Sequence, residues 1–179
     1  MNSIDDISGA KIRVLPPISS ALEKLGASVV TIAWGEVYPA LAQGVIEGAV
    51  AGTLFDLHDG GFYEHAKTLI LPAPSGACND FWYINLDEWN SLPSSLQVAV
   101  TAVAKDFSHD VYRMHLKNDR TALAEMLKAG VTIYNMTESD TAKLKDVSLQ
   151  VYDEMAAEDP LTAQAIQFYK DYLVFLGRF

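Results

Sequence analysis

A chain of 179 residues, half of them hydrophobic and a fifth charged, has ordinary globular composition, enough for one domain with a sizeable core or part of a two-lobed protein. A formal net charge of -10 repels phosphate backbones and anionic lipid, which argues against nucleic-acid and peripheral membrane binding; it does not exclude an anionic small ligand, because a local cationic pocket outweighs distant, screened surface charge. The one cysteine, Cys78, excludes an intrachain disulfide and a cysteine-rich metal site, and His58, His65, His109 and His115 form no tight ligand pattern, so no metal and no cofactor is expected.

The first residues, Met1-Asn2-Ser3-Ile4-Asp5-Asp6, are polar and acidic, with neither the basic start nor the apolar core of an export signal, so the chain taken alone reads as cytosolic. Lys11 to Val14 alternates polar and apolar residues and reads as a strand ended by Pro16-Pro17. A helix is expected from Ile18 to Leu25, stopped by Gly26. Ser28 to Ile32 is rich in β-branched residues and reads as a second strand, and Glu36 to Gln43 has helical spacing with Gly44 at its end. Glu47 to Ala51 is an apolar run that suits a third strand. Strands alternating with helices at this spacing imply βαβ units and a parallel sheet.

Gly52 to Gly61 carries Asp56, His58 and Asp59 and reads as an irregular or short helical connector. Phe62 to Leu71 leads into an extended stretch broken by Pro72 and Pro74, and the aromatic-rich Asn79 to Asn85 reads as a strand. Pro93 sits where a helix begins, a position at which its missing N–H has no partner to lose. Leu96, Val100, Val103, Phe107, Val111 and Met114 then recur at helical spacing, and the pattern extends to Leu127, before Ala129-Gly130. At 1.5 Å per residue that is a rod of roughly 50 Å, long against a radius of gyration of about 16 Å for a compact domain of this size. Two helices broken near Asn118-Asp119 are the alternative. Val131 to Tyr134 reads as a last strand, and Glu138 to Ala157 and Leu161 to Leu176 as closing helices. No run of about 18 apolar residues exists, so no membrane-spanning helix is expected.

Arg13 is the residue that bears most on function. A guanidinium offers five donors in a planar fork that matches a carboxylate, and the end of a strand in an open α/β sheet is where ligands bind. The competing reading is a surface arginine paired with Glu36 or another acid. Trp34, at the start of a helix, suits either an apolar wall beside a ligand or a core tryptophan covering the sheet. Asn79 suits either a donor to a ligand oxygen or a turn residue. Asp56, His58 and Asp59 resemble an acid/base group, but no nucleophile elbow, phosphate loop or metal motif accompanies them.

The order of these segments resembles the substrate-binding proteins of TRAP transporters, the tripartite ATP-independent periplasmic family. The matching stretches are Gly9-Ala10-Lys11-Ile12-Arg13-Val14, Leu25-Gly26-Ala27, Ala33-Trp34-Gly35-Glu36-Val37-Tyr38-Pro39-Ala40-Leu41 and Gly44-Val45-Ile46-Glu47-Gly48. Phe62-Tyr63-Glu64-His65-Ala66-Lys67, Ile84-Asn85 through Trp89, Ser91-Leu92-Pro93, Leu96-Gln97 and Lys128-Ala129-Gly130-Val131 continue it. Each is weak alone; together they cover nearly the whole chain.

The resemblance implies the C-terminal half of a two-lobed α/β fold: a periplasmic-binding-protein-like lobe with a short, mostly parallel sheet, one long helix that crosses both lobes, and C-terminal helices. Residues 1–91 are then a ligand-binding lobe segment, 92–128 the lobe-spanning helix, and 129–179 the C-terminal strand and helices, as one continuous unit. Arg13 grips the substrate carboxylate, Trp34 lies beside the ligand, Ala51 belongs to the contact segment after Gly48, and Asn79 lines the cleft. The implied function is capture of a small organic acid in the periplasm for delivery to TRAP membrane subunits, without catalysis. Ala49-Val50-Ala51-Gly52-Thr53 lacks the Gln-Glu-Asn-Pro of the sialic-acid and dicarboxylate branches, which leaves the acid unnamed. A truncated non-binding fragment or interaction module and, behind it, a small α/β enzyme using Asp56, His58 or Asp59 are the competing functions.

Overall fold

Three short strands supply the first sheet, and their sequence explains why it is parallel: each is separated from the next by a helix. The computed structural model, which describes residues 1–73 and 81–177, places β1 at Lys11–Arg13, β2 at Ser28–Val30 and β3 at Gly48–Ala49, with α1 (Ile18–Lys24) and α2 (Trp34–Ala42) as the crossovers. The order is β2-β1-β3 and both pairings are parallel, with Ile12 opposite Val29 on one side and Gly48 on the other. The chain divides into two compact units. The first comprises Met1–Val50, Thr68–Pro74 and Ile133–Phe179, and this sheet lies within it.

The core of that unit forms from Ile4, Ile7, Ile12, Val14, Leu22, Leu25, Ala27 and Leu144, which the alternating strand pattern and the apolar side of α1 bring together. Gly26 closes α1. It has φ +90, Ala27 N–H donates to Leu22 O at 3.0 Å, and a Cβ on Gly26 would lie 2.6 Å from Ser8 Oγ. Both the left-handed backbone and the space therefore require glycine. Gly26→Ala should destabilise the fold by about 1–2 kcal/mol, read as a lowered midpoint in denaturant unfolding with an unchanged slope.

Asp140 fastens the start of the chain to this unit. It is buried, and it accepts from Ile4 N–H at 3.1 Å, Ser3 Oγ at 3.1 Å, Thr137 N–H at 3.1 Å, Thr137 Oγ1 at 2.7 Å and the Tyr134 hydroxyl. The Tyr134 and Thr137 hydrogen bonds hold its carboxyl well below the usual carboxylate range, and in return the carboxylate pushes the Tyr134 phenol up to about 12.

β4 (Thr68–Leu71) and β5 (Thr132–Asn135) form a second, two-stranded sheet. Thr132 N–H donates to Lys67 O and Met136 N–H to Leu71 O, so both strands advance in the same direction. Thr137 caps α6 (Glu138–Ala156), which packs on α1 and is followed by α7 (Pro160–Phe175), capped by Asp159. Lys24 pairs with Glu154, Lys170 with Asp153, and the Tyr152 and Tyr169 rings meet edge to face at 5.5 Å.

The second unit comprises Ala51–Lys67 and Ser75–Thr132. It contains α3 (Leu54–Asp59), a 3-10 turn at Phe62–Glu64, α4 (Leu86–Ser91) and α5 (Ser94–Lys128). The stretch from Gly52 to Gly61 is thus largely helical. Thr53 starts α3 with a capping box, its hydroxyl accepting from Asp56 N–H and its own N–H donating to Asp56 Oδ2 at 2.7 Å. α3 packs on α5, where Asp119 Oδ1 accepts from Phe55 N–H at 2.9 Å.

α5 is one unbroken helix of 35 residues, about 52 Å long. The break weighed at Asn118-Asp119 does not occur, because the Asp119 carboxylate is occupied by α3 and does not compete for its own backbone. Among its described residues only Ala122 and Met126 are buried; Leu96, Val100, Val103, Phe107 and Met114 are exposed. The strand expected over Asn79 to Asn85 is also corrected. Phe81 to Asn85 has no regular structure, and Tyr83 is 90 % exposed. Aromatic residues favour strands only where a neighbouring strand supplies hydrogen bonds and a packing surface, and none flanks these residues in either sheet. Asn79 lies outside the described residues.

Candidate functional site

The three parallel strands end together, and Arg13 closes the middle one. In register it faces Val30 on β2 and Ala49 on β3. The loop after β2 carries Ile32, the loop after β3 carries Val50, and the guanidinium reaches both: Nε donates to Ile32 O and Nη1 to Val50 O, each at 3.2 Å. One cation is thereby held across the carboxyl ends of all three strands, the position at which open α/β sheets bind ligands.

Arg13 is only 5 % exposed, and no carboxylate among the described residues forms an ion pair with it. The surface arginine paired with Glu36 is therefore not what the fold contains. A buried charge with neutral partners alone is costly. Two carbonyl acceptors offset part of that cost, and the Trp34 ring adds a weak attraction, its centroid 6.0 Å from the guanidinium carbon, at the limit of cation–π range. Two of the five N–H donors are committed to Ile32 and Val50; the rest suit an anion, and a carboxylate matches their planar geometry.

Trp34 is the first residue of α2. The helix begins after Ala33, which offers no side-chain cap. Trp34 is 46 % exposed, so it does not sit in the core. Arg13 and Trp34 are thus brought together within the first unit. Ala51 follows Val50 in the chain and contributes no polar side chain. The nearest hydroxyl in sequence, Thr53, is committed to capping α3.

The acid/base group does not assemble. Asp56 accepts from Thr53 N–H, His58 Nε2 pairs with Glu125 Oε2 at 2.8 Å while its ring stacks on Tyr63 at 5.1 Å, and Asp59 is exposed. Asp56 and His58 have local tasks, and among the described residues no set of His, Cys, Asp and Glu is arranged to hold a metal ion. What sequence reasoning missed is the pair of carbonyls at Ile32 and Val50. Backbone oxygens have no residue-type signature; the only hint was that two strands of similar length end beside β1.

The chain is similar to known proteins in sequence and in fold. Residues 1–159 match the DctP family, described as bacterial extracellular solute-binding protein, family 7. A monocarboxylate 2-oxoacid-binding periplasmic protein of Nostoc is 23 % identical over 172 residues, 95 % of this chain and 47 % of its own length. A solute-binding protein of Sulfitobacter is 30 % identical over 159 residues, 87 % of this chain and 47 % of its own. Among solved structures, a TRAP solute-binding protein from Colwellia psychrerythraea with bound calcium and pyruvate is 25 % identical, with a TM-score of 0.80 over 96 % of this chain and 53 % of that one. One from Bordetella bronchiseptica has a TM-score of 0.83 at 22 % identity, over 96 % of this chain and 51 % of that one. The chain spans about half the length of these relatives.

Proposed function

The chain belongs to the bacterial extracellular solute-binding protein family 7, the solute-binding family of TRAP transporters, and from that premise we propose that it captures a small organic acid through Arg13 for transmembrane uptake. The observation that carries this reading is a buried guanidinium held by two carbonyls, with no ion pair to an acid among the described residues. Such an arrangement is tolerable when an external carboxylate completes it. Names of relatives point to the same chemistry, among them the 2-oxoacid-binding and C4-dicarboxylate-binding periplasmic proteins. The work is done in the periplasm, without bond breaking, and the acid passes to TRAP membrane subunits. No described helix is long and apolar enough to cross a membrane.

Ala49 to Thr53 holds no second cation or amide, so this half of the site reads one carboxylate and leaves the remainder of the acid to other contacts. A second reading, an interaction module that binds no solute alone, draws on the exposed apolar stripe of α5. Thermal-shift measurements with pyruvate, malonate, picolinate and glucuronate separate the two. A ligand at a hundredfold excess over its Kd stabilises a fold by about 2.7 kcal/mol, which for a chain of this size is roughly 5–10 °C. The matching amides should give no shift. Equal shifts from acid and amide would sink the carboxylate reading, and no shift from any acid would favour the interaction module.

A further inference from the structure

The side chains set around the Arg13 guanidinium are hydrocarbon. Ile12 and Val14 turn to the core of the first unit, and Val29 and Val50 pack against that core. Side chains alternate along a strand, so Arg13 and Leu15 share the other face, with Val30 and Ala49 beside Arg13 in register. Lys11, on the same face, stands one pleat back toward the opposite end of the sheet. The pairing of β1 with β2 continues past Arg13: Val14 N–H donates to Val30 O at 3.1 Å, and Val14 O accepts from Thr31 Oγ1 at 3.2 Å. Leu15 therefore stands one pleat beyond Arg13, about 7 Å along, at the carboxyl end of the strands.

Two apolar side chains stay half exposed at this end of the sheet: Leu15 at 49 % and Trp34 at 46 %. A single exposed leucine is ordinary; a leucine and a tryptophan that share a buried cation as neighbour form a surface next to its spare donors. Glu36 follows Trp34 by two residues, about 200° round α2, so the helix does not set that acid beside the ring. Resting on the carboxylate reading above, we propose that the captured acid is a monocarboxylate with an apolar substituent of several carbons, and that Leu15 selects it. The carboxylate meets Arg13, and the hydrocarbon part lies over Leu15 and the Trp34 ring. An alkyl or aryl group removes apolar surface from water on both partners. A second carboxylate, or a row of hydroxyls, laid on the same surface loses water and finds no partner in a leucine or alanine side chain.

Calorimetry on the whole chain with acids matched in length tests this. Affinity should rise about threefold per added methylene from acetate through butanoate to hexanoate. Adipate, which is hexanoate with a second carboxylate, and gluconate, which is hexanoate with hydroxyls, should bind at least ~10-fold more weakly than hexanoate. Leu15→Asn should lower hexanoate affinity by about 5–10-fold and leave acetate within about twofold, and Leu15→Met, which conserves volume, should keep the preference. Because Leu15 is half exposed, both variants should keep the fold, and their melting temperatures check it. Acetate binding as tightly as hexanoate, or adipate or gluconate matching it, would overturn the inference and leave the carboxylate reading standing. Hexanoate affinity indifferent to Leu15→Asn would remove Leu15 from the selection. Binding of none of these acids, or hexanoate affinity unchanged in Arg13→Ala, would overturn both together.

Discussion

Arg13→Ala should lower the affinity for a carboxylate ligand by about a hundredfold or more, since truncating one partner of a buried, hydrogen-bonded charge pair costs about 2–5 kcal/mol. Isothermal calorimetry on the folded variant, with whichever acid gives the largest thermal shift, measures it. Arg13→Lys should recover only a small part, because an ammonium cannot hold Ile32 O and Val50 O and still present a planar pair of donors to the ligand. The variant also leaves those two carbonyls without their donor, so some stability is lost alongside affinity. Calorimetry at a temperature well below each variant's melting point keeps the two effects apart. Unchanged affinity in folded Arg13→Ala would remove Arg13 from the site.

The second large effect concerns stability. Asp140→Ala strands five donors at once, from Ser3, Ile4, Tyr134 and Thr137. A buried donor without a partner is costly and these sit together, so the melting temperature should fall by roughly 5–15 °C. Linkage gives each end of the pH range a sign. The Asp140 carboxyl is depressed in the fold, so its contribution is complete above the ordinary carboxylate range and is lost as pH falls below about 4. The Tyr134 phenol is raised from 10.0 to about 12, so its contribution is complete below pH 10.0 and is lost as pH rises from there to about 12. Urea midpoints across that alkaline window should therefore decline more steeply for the natural chain than for Tyr134→Phe. Parallel declines would mean that the phenol titrates alike in folded and unfolded chains.

Much of the α/β alternation was legible because its signals are local. Gly26 after an apolar repeat marked the end of α1, Pro93 marked the start of α5, and β-branched residues marked β2. One reading was left open and one failed. Gly52 to Gly61 suited an irregular or a short helical connector, and Thr53 and Asp56, which stand at capping-box spacing, decide it for the short helix α3. Phe81, Trp82 and Tyr83 looked like strand, but strand formation is decided by a neighbour that sequence reasoning could not supply. At the site, the candidacy of Arg13 was legible from its place at the end of β1. Its burial and its two carbonyl partners depend on where other loops end in space, which no residue type encodes.

The grip of Ile32 and Val50 on Arg13 has a kinetic meaning. A free arginine carries about 2 kcal/mol of rotamer entropy, and here that freedom is surrendered when the protein folds, before any solute arrives. Capture then need not wait for a long side chain to find its geometry, and little ordering cost falls on the encounter itself. If the chain captures an acid through Arg13, as proposed, the encounter finds the arginine already in place.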